Sequence, residues 1–140
     1  MGADDFPNLD KEEVDFTLKE LTVNLQKKDL PNNLPKEAVV LKISGEINLY
    51  SAHALKEKIF DLIDKGFVYI FINMENIHYI DSSGLAVFMS VHAKLIKNEK
   101  GGLAMYAPSS QVIKIIELTK LKTLIRMTKT LTDAIDVLLN

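Results

Sequence analysis

Residues 67–72 limit the architecture more than any other stretch of the chain, because they form an unbroken run of apolar, aromatic and β-branched side chains. A strand with one face in water alternates apolar and polar residues, whereas a run of this composition is typical of a strand covered on both faces. It is also far shorter than the roughly 18 residues that a membrane-spanning helix needs. We therefore predict a buried strand here, inside a sheet with helices packed against it.

Alternating strand and helix patterns surround this run. Upstream, we predict a half-buried strand over 16–25, a second strand over 39–43 that pairs with it, and a helix over 55–63 stopped by Gly66. Downstream, the predicted elements are a helix over 85–96, a strand over 103–107, a helix after Ser109 or Ser110, a strand over 123–127 and a last helix begun by the capping-box pattern of 130–133. This alternation is typical of an α/β fold with parallel strand pairings.

Length and charge narrow the possible functions. A chain of 140 residues with 47% hydrophobic side chains can form one domain with a substantial core. The absence of cysteine excludes disulfides, thiolate nucleophiles, Fe–S clusters and any zinc site that needs sulfur ligands. The formal net charge of −2 gives no general attraction for nucleic acid or for an anionic membrane surface. We therefore expect neither nucleic acid nor a membrane as a partner.

The first 15 residues differ from the rest of the chain. They are acidic, contain few large apolar side chains and have no sustained period. We predict that residues 1–15 form a flexible acidic tail and that residues 16–140 form a single domain. The beginning of the chain has neither the basic nor the apolar stretch of a signal peptide, which predicts a cytoplasmic location.

A short polar segment at 81–84, with the sequence Asp-Ser-Ser-Gly, lies between a predicted strand and a predicted helix. Such a turn places two hydroxyl groups at a helix N-terminus, where unpaired N–H groups and the positive end of the helix dipole tolerate a phosphate. The alternative is that Asp81 or one of the serines only caps the helix. On these four residues alone, the capping interpretation is favoured.

The complete sequence favours the phosphate-accepting interpretation of 81–84 over the capping one, because several motifs occur together in a fixed order. They are Gly-Glu-Ile-Asn at 45–48, Ser-Ala at 51–52, Ile-Asp-Ser-Ser-Gly-Leu at 80–85, Gly102, Pro108 and Ile-Glu-Leu-Thr-Lys-Leu at 116–121. Over about residues 16–140 this pattern resembles the STAS domain family, specifically the bacterial anti-sigma factor antagonists. The resemblance implies a single α/β domain with a central mixed β-sheet packed with α-helices. It also implies a regulatory protein that is not an enzyme and needs no cofactor.

The resemblance further implies partner switching. In such proteins the first serine of Asp-Ser-Ser-Gly accepts the phosphate, and that serine corresponds to Ser82. The unmodified protein would bind an anti-sigma factor serine kinase and so free the sigma factor for transcription, whereas phosphorylation would release the kinase and a Ser/Thr phosphatase would reset the cycle. Asp81, Ser83 and Gly84 are then expected to contact the partner. Since both serines share one turn, Ser83 stays open as a second acceptor.

A second group of expected partner contacts lies in the turn at 45–52 and comprises Glu46, Asn48 and Tyr50. A solvated loop is an equally good interpretation of this stretch. Two positions depart from the family pattern. Asn48 stands where an aspartate is usual, which removes a charge, and Lys120 stands where glycine is common, so the helix before it must end without a left-handed glycine.

Other functions have less support in the residues. A serine esterase would need a G-x-S-x-G elbow, which is absent, and an acid adjacent to the nucleophile is poorly placed to orient a histidine. The histidines are too scattered along the chain for a zinc site; they are His53, His78 and His92. The remaining alternative keeps the fold, because STAS-like domains also serve as regulatory or accessory subunits of transport and stress-sensing complexes.

Overall fold

The computed structural model describes residues 7–9, 16–18 and 20–140. The predicted tail over 1–15 therefore lies mainly outside the described residues. Within it, Leu9 is half-buried and packs against the main core, and Pro7 lies beside Gly66. Among the residues that the structure describes, no helix combines the length and the apolar character that crossing a bilayer requires.

The described residues contain one six-stranded mixed sheet whose strands follow one another in chain order. The strands are β1 (Phe16–Leu18), β2 (Leu21–Gln26), β3 (Ala38–Ile47), β4 (Tyr69–Ile80), β5 (Gly102–Tyr106) and β6 (Arg126–Thr128). The pairs β1–β2 and β2–β3 are antiparallel, and the pairs from β3 to β6 are parallel. The predicted α/β class with a central mixed sheet is thus confirmed.

Helices cover both faces of this sheet unequally. They are α1 (Ala52–Asp64), α2 (Ser82–Leu95), α3 (Ser110–Glu117), α4 (Leu121–Leu124) and α5 (Leu131–Leu139). The first four contribute to the main core on one face, and α5 packs over a smaller core on the other. Strand β4 contributes Ile70 and Ile72 to the first core and Phe71 to the second, all with 0% exposure. The prediction of a strand buried on both faces is therefore confirmed.

The single strand predicted over 16–25 is wrong, because the chain turns at Glu20 and forms two antiparallel strands. The apolar positions are even-numbered up to Leu18 and odd-numbered from Leu21. In one continuous strand these two sets would point to opposite faces of the sheet. The change of phase is the local signal of the turn. The predicted pairing with the next strand is confirmed, since β2 lies antiparallel to β3.

The strand predicted over 123–127 begins later than expected, at Arg126, and is preceded by the short helix α4. Leu121 and Ile125 are both 2% exposed and pack into the main core. In a strand Thr123 would lie on the same face as these two residues, but it is exposed, so the burial pattern is that of one helical turn. The last helix is as predicted, because the Thr130 side chain caps α5 by accepting the N–H of Asp133 at 3.1 Å.

Candidate functional site

The ends of two neighbouring parallel strands bring the two predicted groups of partner contacts together. Ile47, the last residue of β3, pairs with Ile80, the last residue of β4. The N–H of Asp81 donates to the carbonyl oxygen of Ile47 at 3.1 Å. The carboxyl ends of adjacent parallel strands are where α/β proteins commonly bind their ligands. The segments 46–50 and 81–84 therefore share one edge of the sheet.

Asp81 connects these two segments through its carboxylate. It is the N-cap of α2, and its Oδ1 accepts the N–H of Gly84 at 3.0 Å. Its Oδ2 accepts the N–H of Leu49 at 3.1 Å. The capping interpretation of Asp81 is thus confirmed, and the same side chain also fixes the loop after β3 against the first turn of α2. The second bond has no local signal in the sequence, since the two residues are 32 positions apart.

The two serines of the turn differ in exposure. Ser82 is the first residue of α2 and is exposed, whereas Ser83 is half-buried. Within the described part of the chain, neither hydroxyl makes a hydrogen bond to another residue. The Ser82 hydroxyl is therefore open to an approaching protein, at a helix end that favours negative charge.

Gly84 lies beneath this turn and is buried. A Cβ atom at this position would lie 2.6 Å from Cγ1 of Ile80, 2.8 Å from Cγ2 of Ile47 and 2.9 Å from the carbonyl oxygen of Ile47. The first turn of α2 thus rests directly on the ends of β3 and β4, which gives Gly84 a packing role. Its contact with a partner stays a prediction.

The loop after β3 is ordered by its own hydrogen bonds. The side-chain oxygen of Asn48 accepts the N–H of Tyr50 at 2.9 Å, and the N–H of Asn48 donates to Oγ of Ser51 at 3.1 Å. An aspartate oxygen would accept the same bond, so the amide changes the charge of the turn and not its geometry. Glu46, still within β3, is half-buried, and its N–H donates to the carbonyl oxygen of Glu20 at 2.9 Å.

This ordered loop holds two large side chains out of the core. Leu49 is 69% exposed and Tyr50 is 85% exposed. Tyr50 is among the predicted partner contacts, whereas Leu49 is not. The available signal was the pair of adjacent large side chains in a loop between a strand and a helix, since contiguous exposed apolar side chains can form a binding surface.

The fold and this edge of the sheet define the class of protein. A sequence model of the STAS domain family matches residues 26–134, and the chain belongs to that family.

Several proteins to which this chain is similar are named as anti-sigma factor antagonists. The anti-sigma-B factor antagonist of Bacillus subtilis (strain 168) is 31% identical over 105 residues, which cover 75% of this chain and 90% of that protein. An anti-sigma factor antagonist from Mycobacterium paratuberculosis has the same fold, with a TM-score of 0.73 at 22% identity, covering 89% of this chain and 98% of the other. The phosphorylated form of the Bacillus cell fate determinant SpoIIAA has a TM-score of 0.60 at 22% identity, and the match covers 82% of this chain and 97% of SpoIIAA.

Proposed function

We propose that this protein is an anti-sigma factor antagonist that binds an anti-sigma factor serine kinase while Ser82 is unmodified and is released once Ser82 carries a phosphate. The observation that carries the proposal is an exposed Ser82 at a helix N-terminus, next to a loop that holds out Leu49 and Tyr50. The name of the Bacillus subtilis relative at 31% identity supports the same role.

Ser82 is a better acceptor than Ser83 for a reason of access. A kinase must bring the γ-phosphate of ATP in line with the attacking hydroxyl, so the acceptor has to enter the active site of the kinase. Ser82 is exposed and Ser83 is half-buried in the same turn. SpoIIAA, a protein of the same fold, has been solved in a phosphorylated form, which supports the view that this fold accommodates a phosphate.

The proposed release follows from charge. A phosphate adds about −1.5 to −2 charges at neutral pH, on the residue that follows the carboxylate-bearing N-cap Asp81. In a close-packed interface the new dianion must be desolvated next to exposed Leu49 and Tyr50. A loss of about 3–4 kcal/mol of binding free energy corresponds to a roughly 100- to 1,000-fold weaker affinity. Binding can therefore be switched off without unfolding either protein.

We propose a binding protein rather than an enzyme. An activated serine nucleophile is normally hydrogen-bonded to a general base, and within the described residues neither the Ser82 nor the Ser83 hydroxyl makes such a bond. The carboxylate of Asp81 is already used by two backbone N–H groups. In this scheme a Ser/Thr phosphatase restores Ser82, and the cycle takes place in the cytoplasm, where ATP and sigma factors are found.

Phosphate mapping tests the proposal. The protein is incubated with Mg-ATP and each purified anti-sigma factor kinase of the same genome, and the modified residue is then identified by mass spectrometry. We expect phosphate on Ser82, no phosphate on the Ser82→Ala variant, and normal phosphorylation of the Ser83→Ala variant. Phosphate found on Ser83 alone, or an unmodified chain with every kinase, would contradict the proposal.

A further inference from the structure

Helix α2 is apolar on its outward face as well as on its buried one. The residues that it buries are Gly84, Val87, Phe88, Val91 and Leu95. The opposite side, here called the α2 outward face, is exposed and comprises Ser82, Ala86, Met89, Ala93 and the C-cap residue Ile96. At 100° per residue these five positions fall within a sector of about 80°. Met89 is 39% exposed and Ile96 is 64% exposed.

The neighbouring helix α1, in the same layer of helices, has a different composition on its exposed side. On α1, which packs beside α2 over the main core, the exposed residues are His53, Glu57, Asp61 and Asp64. The α2 outward face contains no charged residue. A helix that packs one face on a core normally carries polar or charged residues on the opposite face. The α2 outward face is therefore suited to being covered by another protein.

The position of Ser82 identifies the protein that covers it. A kinase that phosphorylates Ser82 must stand over the first turn of α2. A protein interface of standard size covers about 800 Å² on each partner, which is a disc of about 16 Å radius. With a rise of 1.5 Å per residue, Met89 lies about 10 Å from Ser82 along the helix and Ile96 about 21 Å. A footprint of that size centred on Ser82 includes Met89 and reaches towards Ile96.

We propose that the anti-sigma factor serine kinase, in addition to contacting the turn that bears Ser82, packs an uncharged apolar surface against the α2 outward face, with Met89 as its central anchor. This inference rests on the proposed function, because it concerns the same partner. Exposed large side chains then belong to two segments next to Ser82, Leu49 and Tyr50 to the loop that is bonded to Asp81 and Met89 to α2 itself. Ala86 and Ala93 leave Met89 as the projecting side chain, and methionine adapts readily to a partner surface.

A charge on the α2 outward face tests the inference. In the Met89→Lys variant the affinity of the unmodified protein for the ADP-loaded kinase, measured by calorimetry, is expected to fall at least about tenfold. Val137→Lys is the matched control, since Val137 is 40% exposed on α5, which packs on the opposite face of the sheet. Its affinity is expected to stay within about twofold of the wild type. Thermal unfolding of both variants checks that they are folded, and the milder Met89→Gln replaces Met89→Lys if the latter is not.

The outcomes separate this inference from the function on which it rests. If the wild type binds the kinase and is phosphorylated on Ser82, while the folded Met89 variant binds as tightly as it does, the inference is wrong and the proposed function stands. If no anti-sigma factor kinase binds the wild type, both are wrong. If Met89→Lys abolishes a dimer of the wild type and leaves kinase binding intact, the α2 outward face contacts a second copy, and the inference is again overturned.

Discussion

The Cα atom of Gly84 lies too close to β3 and β4 for a larger residue to fit without a shift of the backbone. The Cβ of an alanine would stand 2.6 Å from Ile80 and 2.9 Å from the carbonyl oxygen of Ile47, and a carbonyl oxygen cannot swing away as a flexible side chain can. We expect Gly84→Ala to lower the free energy of unfolding by about 1–3 kcal/mol, measured by urea denaturation.

The control for this prediction is Ser82→Ala, an exposed position two residues earlier on the same helix. It is expected to change stability by no more than about 0.5 kcal/mol. Alanine is favoured over glycine in a helix by up to about 1 kcal/mol, so a Gly84→Ala variant more stable than the wild type would show that α2 does not rest on the strand ends as closely as described.

The residues of the candidate site could be predicted only in part from the sequence. The capping role of Asp81 follows from the local pattern of 81–84, whereas the choice of Ser82 rests on the resemblance of the whole chain to a family. The bond from Leu49 to Asp81 depends on the register of β3 against β4, which no local pattern gives. The burial of Gly84 has the same origin, because it follows from contacts with residues of two different strands.

Among the elements, an ion pair joins the segments that lead into β3 and β5. Lys100 donates a hydrogen bond to the carboxylate of Glu37, which lowers the pKa of Glu37 from its ordinary 4.5 and raises that of Lys100 from 10.5. The lowered pKa of Glu37 means that its contribution to stability is fully present above pH 4.5 and is lost as the pH falls through the folded-state value. The raised pKa of Lys100 has the opposite effect on the pH dependence of stability: its contribution is present at neutral pH and is lost as the pH rises through its folded-state pKa.

We therefore expect Glu37→Gln to be slightly less stable than the wild type at neutral pH, with the difference disappearing in acid, well below pH 4.5. Melting temperatures of both proteins between pH 3 and pH 8 measure this convergence. A matched control is Glu99→Gln, which removes an exposed carboxylate beside Lys100 in sequence. A Glu37→Gln difference that persists undiminished at the acid end would show that the ion pair is not its cause.

The longer elements were predictable and the shortest were not. Helices with an apolar stripe and a cap, such as α1 and α5, carry enough residues for the period to be evident. Strand β4 runs further than its continuous apolar stretch because Met74, Ile77 and Ile80 still reach the main core. Helix α4 has four residues and β1 and β6 have three each, so their form is set by the surfaces they pack against rather than by local propensity.

For the whole molecule, the proposed switch requires that modification of Ser82 change binding while the fold stays the same. An aspartate at Ser82 would sit at the first position of α2, where the helix dipole stabilises a negative charge by about 0.3–1 kcal/mol and offsets repulsion from the Asp81 carboxylate. We therefore expect Ser82→Asp to keep its melting temperature within about 3 °C of the wild type and to bind the anti-sigma factor kinase about 100- to 1,000-fold more weakly. Thermal unfolding and calorimetry measure the two quantities.

The chain contains its own control for this comparison in Ser110, which is also exposed and is the first residue of a helix, α3. Ser110→Asp places the same charge in the same helical position but on a helix other than the one that carries Ser82. Because the dipole effect is common to both variants, any difference between their affinities reports the location of the charge rather than its presence. If the two variants lose kinase binding equally, the loss is caused by the change in net charge and not by the position of the charge. If Ser82→Asp alone shows a large fall in melting temperature, its loss of binding is caused by unfolding.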